Sequence, residues 1–253
     1  MASAILLSAM LMYPSAISST GTFFILKGSP ANLNNSGVTL LTLSSVVRLF
    51  GDSPVDRSVP LSLVSDDFGL ADGPSWQGWY LTVPDPKAQV VKRFIIKQNK
   101  WNVLAQEKRF SASFFNHGKS YFADHGGGAI RCLDQNNNWS LLYQEDLAQD
   151  KRRKPNDLVV DRSGGVYFTL TGPGEVVYVS PQGKAQTVIS EVETPNGLIL
   201  SPDEKILYVS EYVPKKILSF KVGKNGALKA KKLFAKMDDG EPDLKGADGM
   251  CVD

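Results

Sequence analysis

The sequence is poor in the residues on which several classes of enzyme depend. Its 253 residues contain two cysteines, Cys132 and Cys251, and two histidines, His117 and His125. Two cysteines without a CxxC spacing cannot form a disulfide framework, so both thiols are expected to be free and buried in their strand-like runs. A serine–histidine–acid triad has few candidate bases here, and no GxSxG, Walker or dinucleotide-binding glycine pattern is present.

An excess of charge of either sign is also lacking, and so is any long hydrophobic run. The 28 Lys and Arg residues nearly balance the 26 Asp and Glu residues, which leaves a net charge of +2. Nucleic-acid-binding proteins usually gather a basic excess on one face, and the basic runs at 151–154 and 229–232 are interpreted as solvated charge. No segment is long and apolar enough to span a membrane. These absences argue against a nucleic-acid partner and against a membrane span, and they leave the oligomeric state open.

The first sixty residues divide into two segments. Residues 1–20 contain the apolar stretch Ala4–Met12 and the small-residue sequence Ala16-Ile17-Ser18, which together resemble a signal peptide, although no Lys or Arg precedes Lys27. The protein is therefore expected to be periplasmic or secreted, with a cytoplasmic location as the alternative. Residues 21–60 show no pattern that assigns them to a fold.

From residue 61 onward the pattern is that of an all-β protein. Strand-like runs are broken by Gly, Pro, Asn or Asp about every ten residues, without a helical apolar period. An aromatic-bearing strand recurs at Tyr80, Tyr121, Tyr167 and Tyr208, at steps of 41, 46 and 41 residues. A period in the low forties is that of a four-stranded propeller blade. A β-sandwich is the alternative, but sandwiches do not repeat such a strand at fixed register.

Four short motifs precede the strands that lead each repeat. Each motif places a short oxygen-bearing side chain beside a glycine, a proline or both. The motifs are Ala71-Asp72-Gly73-Pro74-Ser75-Trp76, Lys154-Pro155-Asn156-Asp157-Leu158, Thr194-Pro195-Asn196-Gly197-Leu198 and Ala247-Asp248-Gly249-Met250. Because the innermost strands of all propeller blades start around a common axis, these positions are expected to converge there.

The converging groups would be two carboxylates and two amide carbonyls, from Asp72, Asp248, Asn156 and Asn196. Such oxygen ligands suit Ca²⁺, Mg²⁺ or Mn²⁺, and their formal charge of about −2 would neutralise a divalent ion. The alternative is that Pro-Asn-Asp and Pro-Asn-Gly are simply turn sequences. Their recurrence at blade register favours a site.

The second, third and fourth of these motifs, with Ser201-Pro202-Asp203, resemble those of the senescence marker protein/gluconolactonase (regucalcin-like) family in order and spacing. The resemblance covers about residues 65–253 and implies a six-bladed β-propeller that hydrolyses a small lactone. It also implies one divalent metal on the axis, commonly Ca²⁺ or Zn²⁺. Ca²⁺ is the ion we expect, with Zn²⁺, Mg²⁺ or Mn²⁺ as alternatives.

The resemblance further implies a role for each motif residue. Asp72, Asn196 and Asp248 correspond to the metal ligands, and Asn156 helps to bind metal or substrate. Asp248 is also implied as the general base. Lys154, two positions before Asn156, and His125, near the inner end of a blade, are added as candidate substrate-binding residues. The alternatives are the exposed end of a basic run for Lys154 and a turn-packing role for His125.

This sequence departs from the family pattern in two ways. Asp72 stands where the family has Glu, which shortens the reach by one methylene, about 1.5 Å against a tolerance of about 0.2 Å. Residues 61–253 hold about four blades and the start of a fifth, which predicts a propeller truncated at its C-terminus. The alternative functions are a calcium- or ligand-binding propeller without turnover, an inactive lactonase fragment, and a strictosidine-synthase-like relative.

Overall fold

The computed structural model describes residues 62–237 and 246–252, together with two amino-terminal strands at 5–7 and 23–26. Nearly all the regular structure is β-strand. The strands are β1 (Ile5–Leu7), β2 (Phe23–Leu26), β3 (Ser62–Ser65), β4 (Ser75–Trp76), β5 (Tyr80–Asp85), β6 (Val90–Ile95), β7 (Lys100–Gln106), β8 (Phe110–Asn116), β9 (Lys119–Asp124), β10 (Ala129–Leu133), β11 (Trp139–Gln144), β12 (Pro155–Val160), β13 (Val166–Leu170), β14 (Glu175–Val179), β15 (Ala185–Ile189), β16 (Pro195–Leu200), β17 (Ile206–Glu211), β18 (Lys216–Val222), β19 (Leu228–Lys236) and β20 (Gly249–Val252). Two short 3₁₀ turns span Ile96–Gln98 and Lys224–Gly226.

Sixteen of these strands form four antiparallel sheets of four strands each. Blade 1 is β4–β7, blade 2 is β8–β11, blade 3 is β12–β15 and blade 4 is β16–β19. In each blade the strands pair in chain order, and the recurring tyrosine lies on the second strand. The predictions of an all-β propeller and of the repeat that defines its blades are therefore confirmed.

A fifth inner strand follows blade 4. This strand, β20, pairs with the amino-terminal strand β2, with Phe23 opposite Val252. β1 pairs with β3 in a second two-stranded sheet. A strand from the amino-terminal segment, to which the sequence assigns no fold, thus provides the partner of the last described strand.

The core lies between neighbouring blades. All five residues of β13 are buried, whereas the outermost strand β15 is only partly covered. Ile130 of blade 2 and Phe168 of blade 3 belong to one cluster of buried apolar residues, and Tyr167 and Leu207 belong to a second that joins blades 3 and 4. Burying such a side chain contributes about 1.5–3 kcal/mol, so the blades are stabilised by stacking face to face.

The inner strands share a local irregularity that matters for the site. The pairing of β12 with β13 shifts register between Pro155 and Leu158, and that of β16 with β17 shifts between Pro195 and Leu198. An extra residue in one strand is a β-bulge, which takes residues out of the ladder and re-aims their side chains. The two Pro-Asn motifs therefore lie at bulges at the start of the inner strands.

The thiol prediction is half right. Cys132 is buried, but Cys251 is exposed. Met250 and Val252, its neighbours along β20, pack against the core cluster of blades 3 and 4. Because successive side chains in a strand point to opposite faces, Cys251 is directed away from that core.

Among the described residues, no helix is long and apolar enough to cross a membrane. The small-residue sequence at 16–18, on which the predicted export depends, lies outside the described residues. Export therefore stays a prediction.

Candidate functional site

Asp72 lies in the turn that precedes the inner strand of blade 1. Its backbone N–H donates to the Pro84 carbonyl at 3.1 Å, and its Oδ1 accepts from the Gly73 N–H at 3.0 Å. Gly73 has a φ of +42°, and a Cβ there would lie 2.2 Å from the Ala112 Cα of blade 2. The glycine lets the turn approach β8 and fixes Asp72 against the neighbouring blade.

Asn156 and Asp157 occupy the bulge of β12. Asp157 Oδ1 accepts from the Leu158 N–H at 2.8 Å, and its Oδ2 faces the Leu198 N–H of blade 4 at 3.3 Å. The carboxylate thus links the inner strands of blades 3 and 4. Both residues are half-buried.

Asn196 and Asp248 meet across the boundary between blade 4 and the fifth inner strand. The side-chain amide of Asn196 donates a hydrogen bond to the Asp248 carboxylate. The backbones of the two motifs are also close to each other. A Cβ added to Gly197 would lie only 2.1 Å from the Asp248 carbonyl oxygen. The structure therefore joins two of the four predicted ligand residues by direct contact.

Three carboxylic acids lie within electrostatic reach of one another at this end of the inner strands. Burial, together with the charges of Asp248 and Asp157, raises the pKa of Asp72 to about 8. Burial raises the pKa of Asp157 to about 7, partly opposed by its two backbone hydrogen bonds. Burial also raises the pKa of Asp248 to about 6, while the Asn196 hydrogen bond lowers it. Negative charge is therefore costly here unless a cation balances it.

The chemistry of these donors fits a hard divalent cation. Carboxylate and amide oxygens are the ligands that Ca²⁺ prefers, and the mutual repulsion of Asp72, Asp157 and Asp248 is what a cation would relieve. Among residues 62–237 and 246–252, no three His, Cys, Asp or Glu side chains form a metal-ligand cluster by themselves. A cation would therefore need the amide oxygens of Asn156 and Asn196 as well as the carboxylates.

The two candidate substrate-binding residues lie beside Asn156. His125 Nδ1 is 3.1 Å from the carbonyl oxygen of Pro155. Burial lowers the pKa of His125, and the nearby charges of Lys154 and Arg109 lower it further. His125 is therefore neutral near pH 7, and Lys154 is half-buried next to it.

The basic run at 151–154 is less solvated than its sequence indicates. Arg153 pairs with Glu145 at 2.6 Å and with Glu175 at 2.8 Å, and its side chain is 24% exposed. Glu145 precedes the loop and Glu175 begins β14, so the guanidinium ties the loop before the Pro-Asn-Asp motif to blade 3. The sequence alone predicts solvated charge for this run, because it cannot show which acids from distant turns will pair with it.

The sequence prediction of the site omitted one carboxylate and several hydroxyls. Asp157 stands next to a predicted ligand in the same motif, and that adjacency was the available signal. Ser111, Thr169 and Ser210 hydrogen-bond to carbonyl oxygens of predicted site residues. Thr169 and Ser210 each lie two positions after a recurring tyrosine, so the repeat itself contained a signal for them.

Comparisons with known proteins agree with this architecture. Residues 70–253 match the family described as SMP-30/Gluconolactonase/LRE-like region. A gluconolactonase of Zymomonas mobilis is 29% identical over 237 residues, which cover 81% of this chain and 66% of that protein. A lactonase of Staphylococcus haemolyticus is 36% identical over 105 residues, 39% of this chain and 32% of that protein. The chain thus spans less than two thirds of the length of these relatives.

Solved structures share the fold. A gluconolactonase of Xanthomonas campestris superposes with a TM-score of 0.63 at 28% identity, over 76% of this chain and 69% of that one. A calcium-binding regucalcin of Agrobacterium tumefaciens superposes with a TM-score of 0.55 at 15% identity, over 66% and 59%, which supports the fold alone. The family match extends over most of the chain and includes all four motifs. This chain belongs to the SMP-30/gluconolactonase/LRE-like family.

Proposed function

We propose that this chain forms the catalytic centre of a metal-dependent hydrolase of small lactones. The observation that carries the proposal is the convergence of three carboxylic acids from separate blades, with Asp248 held by the amide of Asn196. The relatives of this chain include a gluconolactonase and a lactonase. The lactone substrate is proposed by analogy with those relatives, and the geometry of the site supports the role proposed for each residue.

The residues that would hold the cation are Asp72, Asn156, Asn196 and Asp248, and Asp157 supplies a further carboxylate. A bound divalent cation would polarise the lactone carbonyl and lower the pKa of a water molecule. Ca²⁺ is the ion best matched to an all-oxygen donor set, and a calcium-binding neighbour has the same fold.

Asp248 is proposed as the general base that takes a proton from the attacking water. A base must be ionised at the working pH, and its strength increases with its pKa. Without a cation, burial raises the pKa of Asp248 to about 6, so the carboxylate is ionised at neutral pH. A cation bound to this carboxylate would lower its pKa and weaken it as a base, so proton transfer would also need the cation to acidify the water. The hydrogen bond from Asn196 fixes the orientation of this carboxylate.

The substrate is proposed to bind between the acids and the Lys154–His125 side of the site. Lys154 offers a cation to a hydroxyl or carboxylate of the substrate. His125 is neutral and its Nδ1–H donates to the Pro155 carbonyl, so its Nε2 can accept a hydrogen bond from a substrate hydroxyl. The side-chain amide of Asn156 lies in the same bulge and contributes to binding of metal or substrate.

A propeller that binds a cation without turnover is the second candidate, and Asp72 favours it. With a pKa of about 8, its carboxyl group keeps its proton at neutral pH until a cation displaces it. A shorter ligand that must also lose a proton would hold the metal weakly.

The test is lactone ring opening, followed as acid release at constant pH, for the full chain with added Ca²⁺ and with chelator. We expect turnover that the chelator abolishes and that Asp248→Asn reduces by about 10²-fold or more. Asp203→Asn, in the β16–β17 turn at the other end of blade 4, should leave the rate unchanged. Turnover that survives both the chelator and Asp248→Asn would disprove the proposal. Cation binding without turnover would support the second candidate.

A further inference from the structure

We propose that three buried hydroxyl groups are positioning residues that orient the metal-binding side chains by holding their backbone carbonyls across blade boundaries. The inference rests on the proposed function, because it concerns the same site. The hydrogen bonds run from Ser111 Oγ to the Asn156 carbonyl at 2.6 Å, from Thr169 Oγ1 to the Asn196 carbonyl at 2.7 Å and from Ser210 Oγ to the Asp248 carbonyl at 3.1 Å.

The bulges explain why these carbonyls need a partner from outside their own sheet. Asn156 and Asn196 lie where the ladder of the inner strand shifts register, so the regular pairing with the second strand is interrupted there. A buried backbone carbonyl without a hydrogen bond is costly. A hydroxyl from the preceding blade supplies the bond, and it also fixes the orientation of the peptide group from which the ligand side chain extends.

Thr169 illustrates the arrangement most completely. Its hydroxyl donates to the Asn196 carbonyl and accepts a hydrogen bond from the Asp157 N–H at 3.1 Å. The side chain is 0% exposed. One hydroxyl therefore uses its proton and a lone pair to set the spacing between a motif of blade 3 and a motif of blade 4.

The hydroxyls of Ser111 and Ser210 each lie within hydrogen-bonding distance of more than one carbonyl oxygen. Ser111 Oγ also lies 3.2 Å from the Pro155 carbonyl, and Ser210 Oγ lies 3.2 Å from the Gly197 carbonyl. Each hydroxyl has one proton, so the bond to the motif residue is shared at these two positions. Thr169 is consequently the position at which loss of the hydroxyl should have the largest effect.

Comparison of the blades separates this role from ordinary blade packing. The position two residues after the recurring tyrosine is Thr82 in blade 1 and Ala123 in blade 2. Thr82 is also 0% exposed, but its hydroxyl accepts from the side chains of Gln77 and Arg93, at 2.8 and 3.4 Å. A buried threonine at this register thus occurs both with and without a contact to a predicted ligand residue, which provides a matched control.

The experiment measures the Ca²⁺ affinity of the full chain by calorimetric titration. Thr169→Val keeps the shape of the side chain and removes the hydroxyl, and we expect the affinity to fall by about 10- to 100-fold, as for other groups that orient metal ligands. Thr169→Ser restores the hydroxyl and should retain nearly wild-type affinity. Thr82→Val removes an equally buried hydroxyl and should lower the thermal midpoint without lowering the affinity. Ser210→Ala should weaken binding by a smaller factor and serves as a second probe if Thr169→Val does not fold.

Three results would overturn the inference: wild-type affinity in Thr169→Val, wild-type affinity in Ser210→Ala where Thr169→Val does not fold, or an equal loss of affinity in Thr82→Val. A wild-type chain that binds no Ca²⁺, Mg²⁺, Mn²⁺ or Zn²⁺ would contradict the proposed function and this inference together. A chain that binds the cation with the predicted order of variants but opens no lactone would contradict the lactonase proposal alone.

Discussion

The side-chain amide of Asn196 donates a hydrogen bond to the carboxylate of Asp248, although the two residues belong to different strands of the propeller. Asn196 lies in the bulge of β16, and Asp248 immediately precedes β20. Burial raises the pKa of Asp248 and this hydrogen bond lowers it. The pH at which Asp248 can act as a base therefore depends on the contact.

Replacing Asn196 by Leu should move the acid limb of the pH–rate profile to higher pH. Loss of the amide donor removes an interaction that lowers the pKa of Asp248, so in the Ca²⁺-bound variant this pKa lies above that of the Ca²⁺-bound wild type and the carboxylate ionises only at higher pH. A hydrogen bond to a charged group contributes about 1.5–3 kcal/mol, which corresponds to a shift of about one pH unit or more. The measurement is kcat for lactone opening between about pH 5 and 9 at saturating Ca²⁺.

The position of the limb, rather than its height, is diagnostic, because Asn196→Leu also removes a predicted ligand and lowers kcat at every pH. Asn116→Leu is the control, since that amide donates to the Val160 and Asp161 carbonyls at the other end of β12. An acid limb that stays in place in Asn196→Leu would show that the amide does not control the Asp248 carboxylate.

Gly197→Ala should destabilise the protein and abolish cation binding. A Cβ at this position would lie 2.1 Å from the Asp248 carbonyl oxygen, so the fifth inner strand would have to move away from β16. Overpacking of this kind typically costs about 1–3 kcal/mol and occasionally more. Thermal unfolding and Ca²⁺ titration measure the two effects.

Gly249→Ala is the matched control, because this glycine adjoins Asp248 and a Cβ there meets no atom within 4 Å. It should change the unfolding midpoint little and leave Ca²⁺ binding intact. Equal effects of the two substitutions would mean that the close approach of Gly197 to Asp248 is not needed for the site.

The architecture of the propeller could be predicted from the sequence because residues at equivalent positions of successive blades are similar. Tyr80, Tyr121, Tyr167 and Tyr208 all lie on the second strand of a blade, where stacking between sheets selects large apolar side chains. The four motifs could likewise be placed at one end of the inner strands. The fold could therefore be predicted from the regular spacing of residues that become buried.

The finer features of the site could not be predicted, because they depend on bulges and on contacts between blades. Whether Asp157 or only Asn156 faces the centre depends on the register shift between Pro155 and Leu158, which leaves no mark in the sequence pattern. The acceptors of Thr169 and Ser210 lie in the next blade, beyond any local pattern. The exposure of Cys251 could not be predicted either, because an apolar run does not reveal which face of a strand is covered.

Asp72→Glu should tighten cation binding, on the order of tenfold. The added methylene brings the carboxylate about 1.5 Å further from a turn that is held against β8 by Gly73, so the turn need not move for the oxygen to reach the axis. The measurement is Ca²⁺ titration of the full chain, and Asp72→Asn, which removes the charge, should weaken binding instead. Unchanged affinity in both variants would exclude Asp72 as a ligand.

The chelator-treated chain should lose stability as the pH rises from about 4 to about 8. Burial and neighbouring acids raise the pKa of Asp72 from its ordinary 3.8 to about 8, so over this range the folded chain binds more protons than the unfolded one. The free energy of unfolding then falls with pH, by at most about 1.4 kcal/mol per pH unit for each such group. The pKa values of Asp157 and Asp248, raised to about 7 and about 6, act in the same direction over the lower part of this range.

Urea unfolding at several pH values measures the slope of the unfolding free energy against pH. Asp72→Asn should reduce this slope, and saturating Ca²⁺ should reverse or flatten it. Stability that rises with pH in the chelated chain would contradict the clustering of these three acids.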